Sequence, residues 1–418
     1  MNLIIKNGRV ISLADNIDKV CDILICDGII SEIGENISIP ESTKTIDAHG
    51  LCVSAGFVDL LARATEPEVD RTESLLSLSH AAVKGGFTTV CVHTETEKSE
   101  DLSFMKERAE YTSCEMIPAA KATDGRELTA HGLLRHEGAG MLYDDTPICD
   151  SLLMRDALFR ARKNKLPLMV RAKDPVLCRD GLARAGVMAE LMDIPTIPAA
   201  AETAIIARDI ALSIDTGSPV HFAQISTAAA VSLVRSAKKA GALVTCSTQP
   251  HYICLSSREL SGYNTLAKLD PPLGNPSDVD ALVEGLADGT IDCICTDHTP
   301  VSSELKRKSL VTAPYGASSV ELCFSALLTA LYKNKGFDLS KVIDLITAKP
   351  AHILGVKRGR IAVGSVADLC IFDPDYSFKA SGKHLISAGR NTPFENKELY
   401  GIVLYTIKDG RIVWQTNK

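Results

Sequence analysis

The stretch GFVDLLARATEP, residues 56 to 67, runs as an apolar strand into a polar loop, where α/β proteins commonly keep their chemistry. Two side chains two residues apart on such a strand share a face and could hold a metal ion, as a pair of histidines would. Those positions carry Leu61 and Arg63. Leucine has no lone pair to give and arginine has donors only, so neither binds a cation. A second stretch, DCICTDH, aligns Cys293, Cys295 and Asp297 on one strand face, a spacing open to a soft metal. Tight packing is the reading preferred for the two thiols. His298, after Asp297, and His251, in TQPHY, read as hydrogen-bonded structural histidines. His93, in VHTE, reads as a surface residue, and Lys173, in RAKDP, as solvated or ion-paired.

The elements that must position these residues follow one repeated arrangement: a helical pattern, a turn, then a short apolar run. SLLSLSHAAVKGG precedes FTTVCV, LMRDALFRARKNK precedes LPLMVRA, and TAIIARDIALSIDTG precedes SPVHFAQIS. AAVSLVRSAKKAG then precedes ALVTCST, and SDVDALVEGLADGT precedes IDCICTDH. Nearly continuous apolar strands between amphipathic helices predict a parallel α/β fold. No glycine-rich phosphate loop opens the first unit, and polar residues recur at the ends of many strands, so a (β/α)8 barrel fits better than an open sheet. Both chain ends alternate instead, in LIIKNGRVIS, CDILICDGIISEIG, GRIAVGSVADLCIFD and LYGIVLYTIKDGRIVW. Their NG, DG and DG pairs read as hairpin turns, predicting a small β domain shared by the two ends.

The 418 residues, 45% hydrophobic and 23% charged, suffice for such a barrel and a flanking domain. A net charge of -7 gives no electrostatic reason to expect nucleic acid or an anionic membrane as partner. No apolar run approaches the roughly 18 residues of a membrane span, and MNLIIKNGRVIS lacks signal-peptide features. A cytoplasmic protein is expected. Its 13 cysteines, scattered through apolar segments, read as reduced and buried.

The order GFVDL, KGGFTTVCV, HFAQISTAAAV, TQPHYICLS, LDPPLG, CTDHTP, APYGASSVE, KPAHILG, GSVADLCIFD and NTPF resembles the dihydroorotase family of the amidohydrolase superfamily over essentially the whole chain. The succession DHTP, APYG, NTPF is its most specific part. The resemblance implies a TIM-type amidohydrolase (β/α)8 barrel at 55–357 and a small β-sandwich domain from 1–54 and 358–418. Active members hold two zinc ions at the barrel mouth with four histidines and two aspartates. Carried over residue by residue, the histidine positions fall on Leu61, Arg63, Arg171 and Gln224, while the aspartates survive as Asp144 and Asp297. Substrate-binding positions have also changed, to Thr65, Thr94, Asp270, Gly274 and Val301. Asp270 would repel a substrate carboxylate if it faced the site.

These departures predict a vestigial site at Asp144, Asp297 and His298, with zinc lost and no cofactor in its place. Arg63 and Arg171 are expected to replace the metal charge, pairing with Asp144 and Asp297 in an internal network. The leading functional expectation is a catalytically inactive dihydroorotase-like subunit supporting aspartate transcarbamoylase in pyrimidine biosynthesis. That partner is implied by the resemblance, as is an oligomer at least dimeric. The alternatives are an anion-binding sensor using Arg63 and Arg171, and an enzyme with rebuilt, metal-independent chemistry at Asp297. The segment VSSELKRKSLVTAP, residues 301 to 314, reads as a solvated loop with basic residues available to a partner.

Overall fold

The computed structural model describes residues 2–65, 73–93, 99–124, 126–128 and 139–416, with the backbone alone at 99–101. Eight parallel strands form the barrel: β1 (Phe57–Arg63), β2 (Phe87–His93), β3 (Glu115–Ala120), β4 (Met141–Asp144), β5 (Leu168–Arg171), β6 (Val220–Ala223), β7 (Val244–Thr248) and β8 (Cys293–Ile294). The five expected helix-then-strand units appear, with helices at Leu75–Lys84, Ser151–Asn164, Ala200–Thr216, Ala228–Lys239 and Pro276–Ala287. Alternation divides each strand between two cores. Val58, Leu60, Cys91, Met141, Tyr143, Met169, Cys293 and Cys295 fill the barrel interior. Phe57, Val90, Leu142, Val170 and Phe222 face the helices. Cys293 and Cys295 are therefore packing residues.

Closure joins the two ends of the sheet. Ala62 forms a parallel bridge with His298, and the Arg63 N–H donates to the His298 carbonyl at 2.8 Å. Below it, the fully buried Asp59 of β1 accepts the Thr296 N–H at 2.8 Å and its hydroxyl at 2.5 Å, while also accepting the Leu61 N–H. Burial pushes the Asp59 carboxyl up to about 6, with the Thr296 bonds opposing that rise.

Both chain ends build a second, eight-stranded sheet from segments between Leu3 and Ala55 and between Leu369 and Gln415. Ile5, Val10, Ile23, Val53, Leu369 and Ile371 form its own core. Two of the expected turns occur: Asp27–Gly28 and Asp409–Gly410 all have positive φ and join adjacent antiparallel strands. Asn7–Gly8 does not turn the chain. It lies inside the strand Leu3–Ser12, where Asn7, at φ 61°, makes a bulge between Ile5 and Gly8. The Asn7 N–H is satisfied by Asp22 across the strand pair, so the ladder continues past it. No helix among the described residues is long and apolar enough to cross a membrane.

Removing the Asp59 carboxylate leaves the Thr296 N–H and hydroxyl buried without their acceptor. Asp59→Ala should cost roughly 2–4 kcal/mol and lower the thermal midpoint by several degrees in a calorimetric scan. An unchanged midpoint would show that the closing seam does not rest on this residue.

Candidate active site

Arg63 ends β1, Asp144 ends β4 with Asp145 after it, Arg171 ends β5, and Gln224 follows β6. Asp297 lies three residues beyond β8. Arg63, Asp145, Arg171, Gln224, His251, Asp270, Asp297 and Tyr315 line a cavity of about 180 Å³ at this C-terminal mouth, the face on which barrel enzymes carry their chemistry. Gln224 and Asp297 hold left-handed backbones, φ 59° and 48°, a conformation that non-glycine residues keep only where the surroundings enforce it. Thr94 lies outside the described residues.

Asp145 is the hub. One of its oxygens accepts from Arg63 at 2.6 Å, and the other accepts from Arg171 at 3.0 Å and from the Tyr143 hydroxyl at 3.1 Å. Arg171 extends the chain to the Asp270 carboxylate at 2.6 Å and its carbonyl at 2.9 Å, and Lys173 joins Asp270 at 2.6 Å. Burial alone would raise both carboxyls, yet Arg171 with Arg63 holds Asp145 well below its ordinary value, and Arg171 with Lys173 lowers Asp270. The expected network exists with different carboxylates. Successive strand residues point oppositely, so Asp145 shares the inward side of Tyr143 while Asp144 turns to Thr123, whose N–H it accepts at 3.3 Å. Asp270, expected to repel an anion, is neutralised by two cations.

Asp144 and Asp297 take the opposite course: burial raises both to about 7, and the arginines near Asp297 only partly offset it. The two carboxyls expected to be ionised partners of the arginines are thus the ones that titrate near neutrality. Around Asp297 the cavity wall holds unmatched polarity. Gln224 Oε1, Arg171 Nε and both ring nitrogens of His251 are buried without a hydrogen-bond partner. His251, expected to be hydrogen-bonded, has no ring hydrogen bond among the described residues and meets the Tyr252 ring edge-on, at 4.5 Å between centroids. A small polar ligand would meet these groups.

His298 is hydrogen-bonded as expected. Its Nδ1 accepts the Ser319 and Val320 N–H groups at 3.1 and 3.3 Å, which leaves Nε2 as donor toward Glu73 at 3.7 Å and Ser387 at 3.4 Å. Glu73, missed in the sequence, also accepts from the Ser387 hydroxyl at 2.7 Å and the Ala388 N–H at 3.0 Å. Thr65 exchanges hydrogen bonds with the Glu73 backbone, so its hydroxyl is engaged there. His93 is not on the surface: at 1% exposure it faces inward from the end of β2 and abuts the Tyr143 ring at 4.7 Å. Val301 is buried, and Gly274 offers its carbonyl to the Ser257 N–H.

Arg171 neutralises two half-buried carboxylates, so its loss has a definite pH signature. Asp145 and Asp270, depressed in the native protein, contribute stability above the ordinary carboxylate range; unpaired, they cost most where they are ionised. Arg171→Met should cost roughly 3–5 kcal/mol at pH 8 and distinctly less at pH 5, read as thermal midpoints. A loss equal at both values would mean the side chain only fills space.

Residues 46–413 match the model of the amidohydrolase family. A protein named dihydroorotase from Citrifermentans bemidjiense is 35% identical over 99% of this chain and 100% of its own. Another of that name from Caldicellulosiruptor saccharolyticus is 36% identical over 98% of each. A crystal structure of a D-hydantoinase superposes with a TM-score of 0.87 at 23% identity, covering 99% of this chain and 95% of that one. The L-hydantoinase from Arthrobacter aurescens gives 0.87 at 23%, covering 100% and 96%. These structures speak to the fold.

Two expectations are thereby corrected. Relatives aligned end to end carry an enzyme's name, which overturns the inactive, non-catalytic subunit supporting aspartate transcarbamoylase. The inference to inactivity rested on the four ligand positions and the changed substrate positions together, while the mouth keeps a polar cavity around Asp297. The expectation of no cofactor falls with it, because membership in a family whose active members, by the resemblance, use two zinc ions stands against it. The side chains at those four positions still do not fit a zinc pair. Leu61 and the ion-paired Arg63 and Arg171 donate no lone pair to a metal, and among the described residues no three His, Cys, Asp or Glu side chains group as a metal site. No step below is routed through one. Matched along nearly its whole length, the chain belongs to the amidohydrolase family, on its dihydroorotase-like branch.

Proposed function

We propose that this chain is a hydrolase opening or closing a small, anionic cyclic amide at the barrel mouth, with dihydroorotate as the first candidate on the strength of the relatives' name. The observation that carries this reading is Asp297, a buried carboxyl raised to about 7 in a cavity with unmatched polar groups. A general base works best with a pKa near the operating pH. Ionised Asp297 takes a proton from water attacking the ring carbonyl and returns it to the departing nitrogen. The guanidinium groups of Arg63 and Arg171 supply positive field for the substrate carboxylate and the developing oxyanion. Within the described network, Arg63, Arg171 and Lys173 oppose Asp145 and Asp270, leaving one net positive charge while Asp297 holds its proton. That sign favours an anion. The cavity, smaller than the roughly 300–1,000 Å³ of typical ligand sites, suits a single small ring. All thirteen cysteines are free thiols, which supports the cytoplasmic setting included in the proposal.

Purified protein incubated with dihydroorotate at pH 8 should yield the ring-opened acid by chromatography, with a rate rising through about pH 7 as Asp297 loses its proton. Asp297→Asn should lower the rate by about 100-fold or more. A folded wild-type protein without turnover, or an Asn variant as active as the parent, would refute the assignment.

The same residue has an opposite effect on stability. A carboxyl raised in the fold stabilises when protonated and loses that contribution as pH climbs toward the folded value. Asp297→Asn should therefore melt above wild type at pH 8, by a few degrees, with a smaller gain at pH 5. A variant less stable than wild type at both values would contradict the raised carboxyl.

A further inference from the structure

A second, larger cavity of about 790 Å³ lies outside the barrel mouth, between segments 263–266, 303–308 and 382–395. Arg307, Lys308, Lys383 and Arg390 line it, all exposed, and among the described residues none of them pairs with a carboxylate. The carboxylate in its wall, Glu395, is already committed to the Ser381 hydroxyl at 2.9 Å and the Gly382 N–H at 2.6 Å. Like charges converging without counter-charge are unfavourable unless an anion joins them. The floor is firm: Lys306, 3% exposed, donates to the carbonyls of Thr265 and Lys268 at 3.1 Å each, pinning the 303–308 segment against the 265–268 turn. The stretch read from sequence as a solvated loop is therefore a fixed wall carrying two free cations.

At the cleft edge stands an aromatic ring. Tyr263 is 55% exposed, in left-handed backbone at φ 58°, and its hydroxyl is held by the Met192 carbonyl at 3.1 Å. An anchored, exposed ring beside converging cations combines a stacking platform with phosphate contacts. The volume lies within the roughly 300–1,000 Å³ of small-molecule sites.

We propose that this cleft binds a nucleoside polyphosphate, its phosphates on Arg307, Lys308, Lys383 and Arg390 and its base against Tyr263. The proposal is independent of the hydrolase reading, since none of these residues lines the barrel-mouth cavity.

Isothermal titration with ATP, with CTP and with inorganic tripolyphosphate, all without metal, tests it. At least one nucleotide should bind saturably, and Arg307→Glu with Lys308→Glu should weaken it at least tenfold. Tyr263→Ala should weaken the nucleotide several-fold and leave tripolyphosphate unchanged, while Arg171→Met leaves both unchanged. The Arg307, Lys308 and Tyr263 changes are surface substitutions whose thermal midpoints should match wild type, and Arg171→Met is titrated well below its own lowered midpoint. No binding up to millimolar nucleotide overturns the proposal, as does binding indifferent to the charge reversal. Tripolyphosphate bound as tightly as the nucleotide, with Tyr263→Ala silent, overturns the nucleoside part.

Discussion

The shared grip of Arg63 and Arg171 on Asp145 is the constraint around which the barrel mouth is arranged. A half-buried carboxylate between two guanidiniums is stable only while all three keep their places. Those places are the ends of β1, β4 and β5, so one ion cluster fixes the relative position of strands from different parts of the chain. Arg171 carries the constraint onward to Asp270, which lines the same cavity as Tyr315, and Tyr252 fastens that segment through the Pro271 carbonyl at 2.6 Å.

This cluster also divides the labour among the carboxyls. Asp145 and Asp270 absorb the cations and stay ionised, which leaves Asp297 buried beside a field it only partly feels and poised near neutrality. Three acidic groups of one type thus acquire two different roles from their surroundings, the arrangement expected of an acid–base site.

The barrel was legible because its strands are continuous apolar runs between helices of regular spacing, and the end strands because they alternate. The site was legible only as a region. Arg63, Arg171 and Asp297 could be placed at the mouth by position. Which of Asp144 and Asp145 faces inward depends on strand phase, and the inward Tyr143 two residues before Asp145 was the available signal. His93 and His251 were misread for a related reason, since burial of a polar residue at a barrel rim is set by neighbours from distant strands. Glu73 gave no signal at all: its partners, Ser387 and Ala388, lie over 300 residues away. Asn7–Gly8 has turn chemistry, yet the flanking residues keep pairing with Ile17–Cys26, and a bulge costs less than ending the ladder.

The central claim is that the arginine-braced cavity is where substrate sits, with Asp297 at the reacting carbonyl. A crystal structure of the protein grown with saturating dihydroorotate tests this most directly. The account predicts the ligand in the cavity of about 180 Å³, its ring carbonyl toward Asp297 and its carboxylate toward Arg63 or Arg171. A well-ordered barrel with the ligand bound elsewhere, or with the cavity occupied by water alone at saturating ligand, would contradict it.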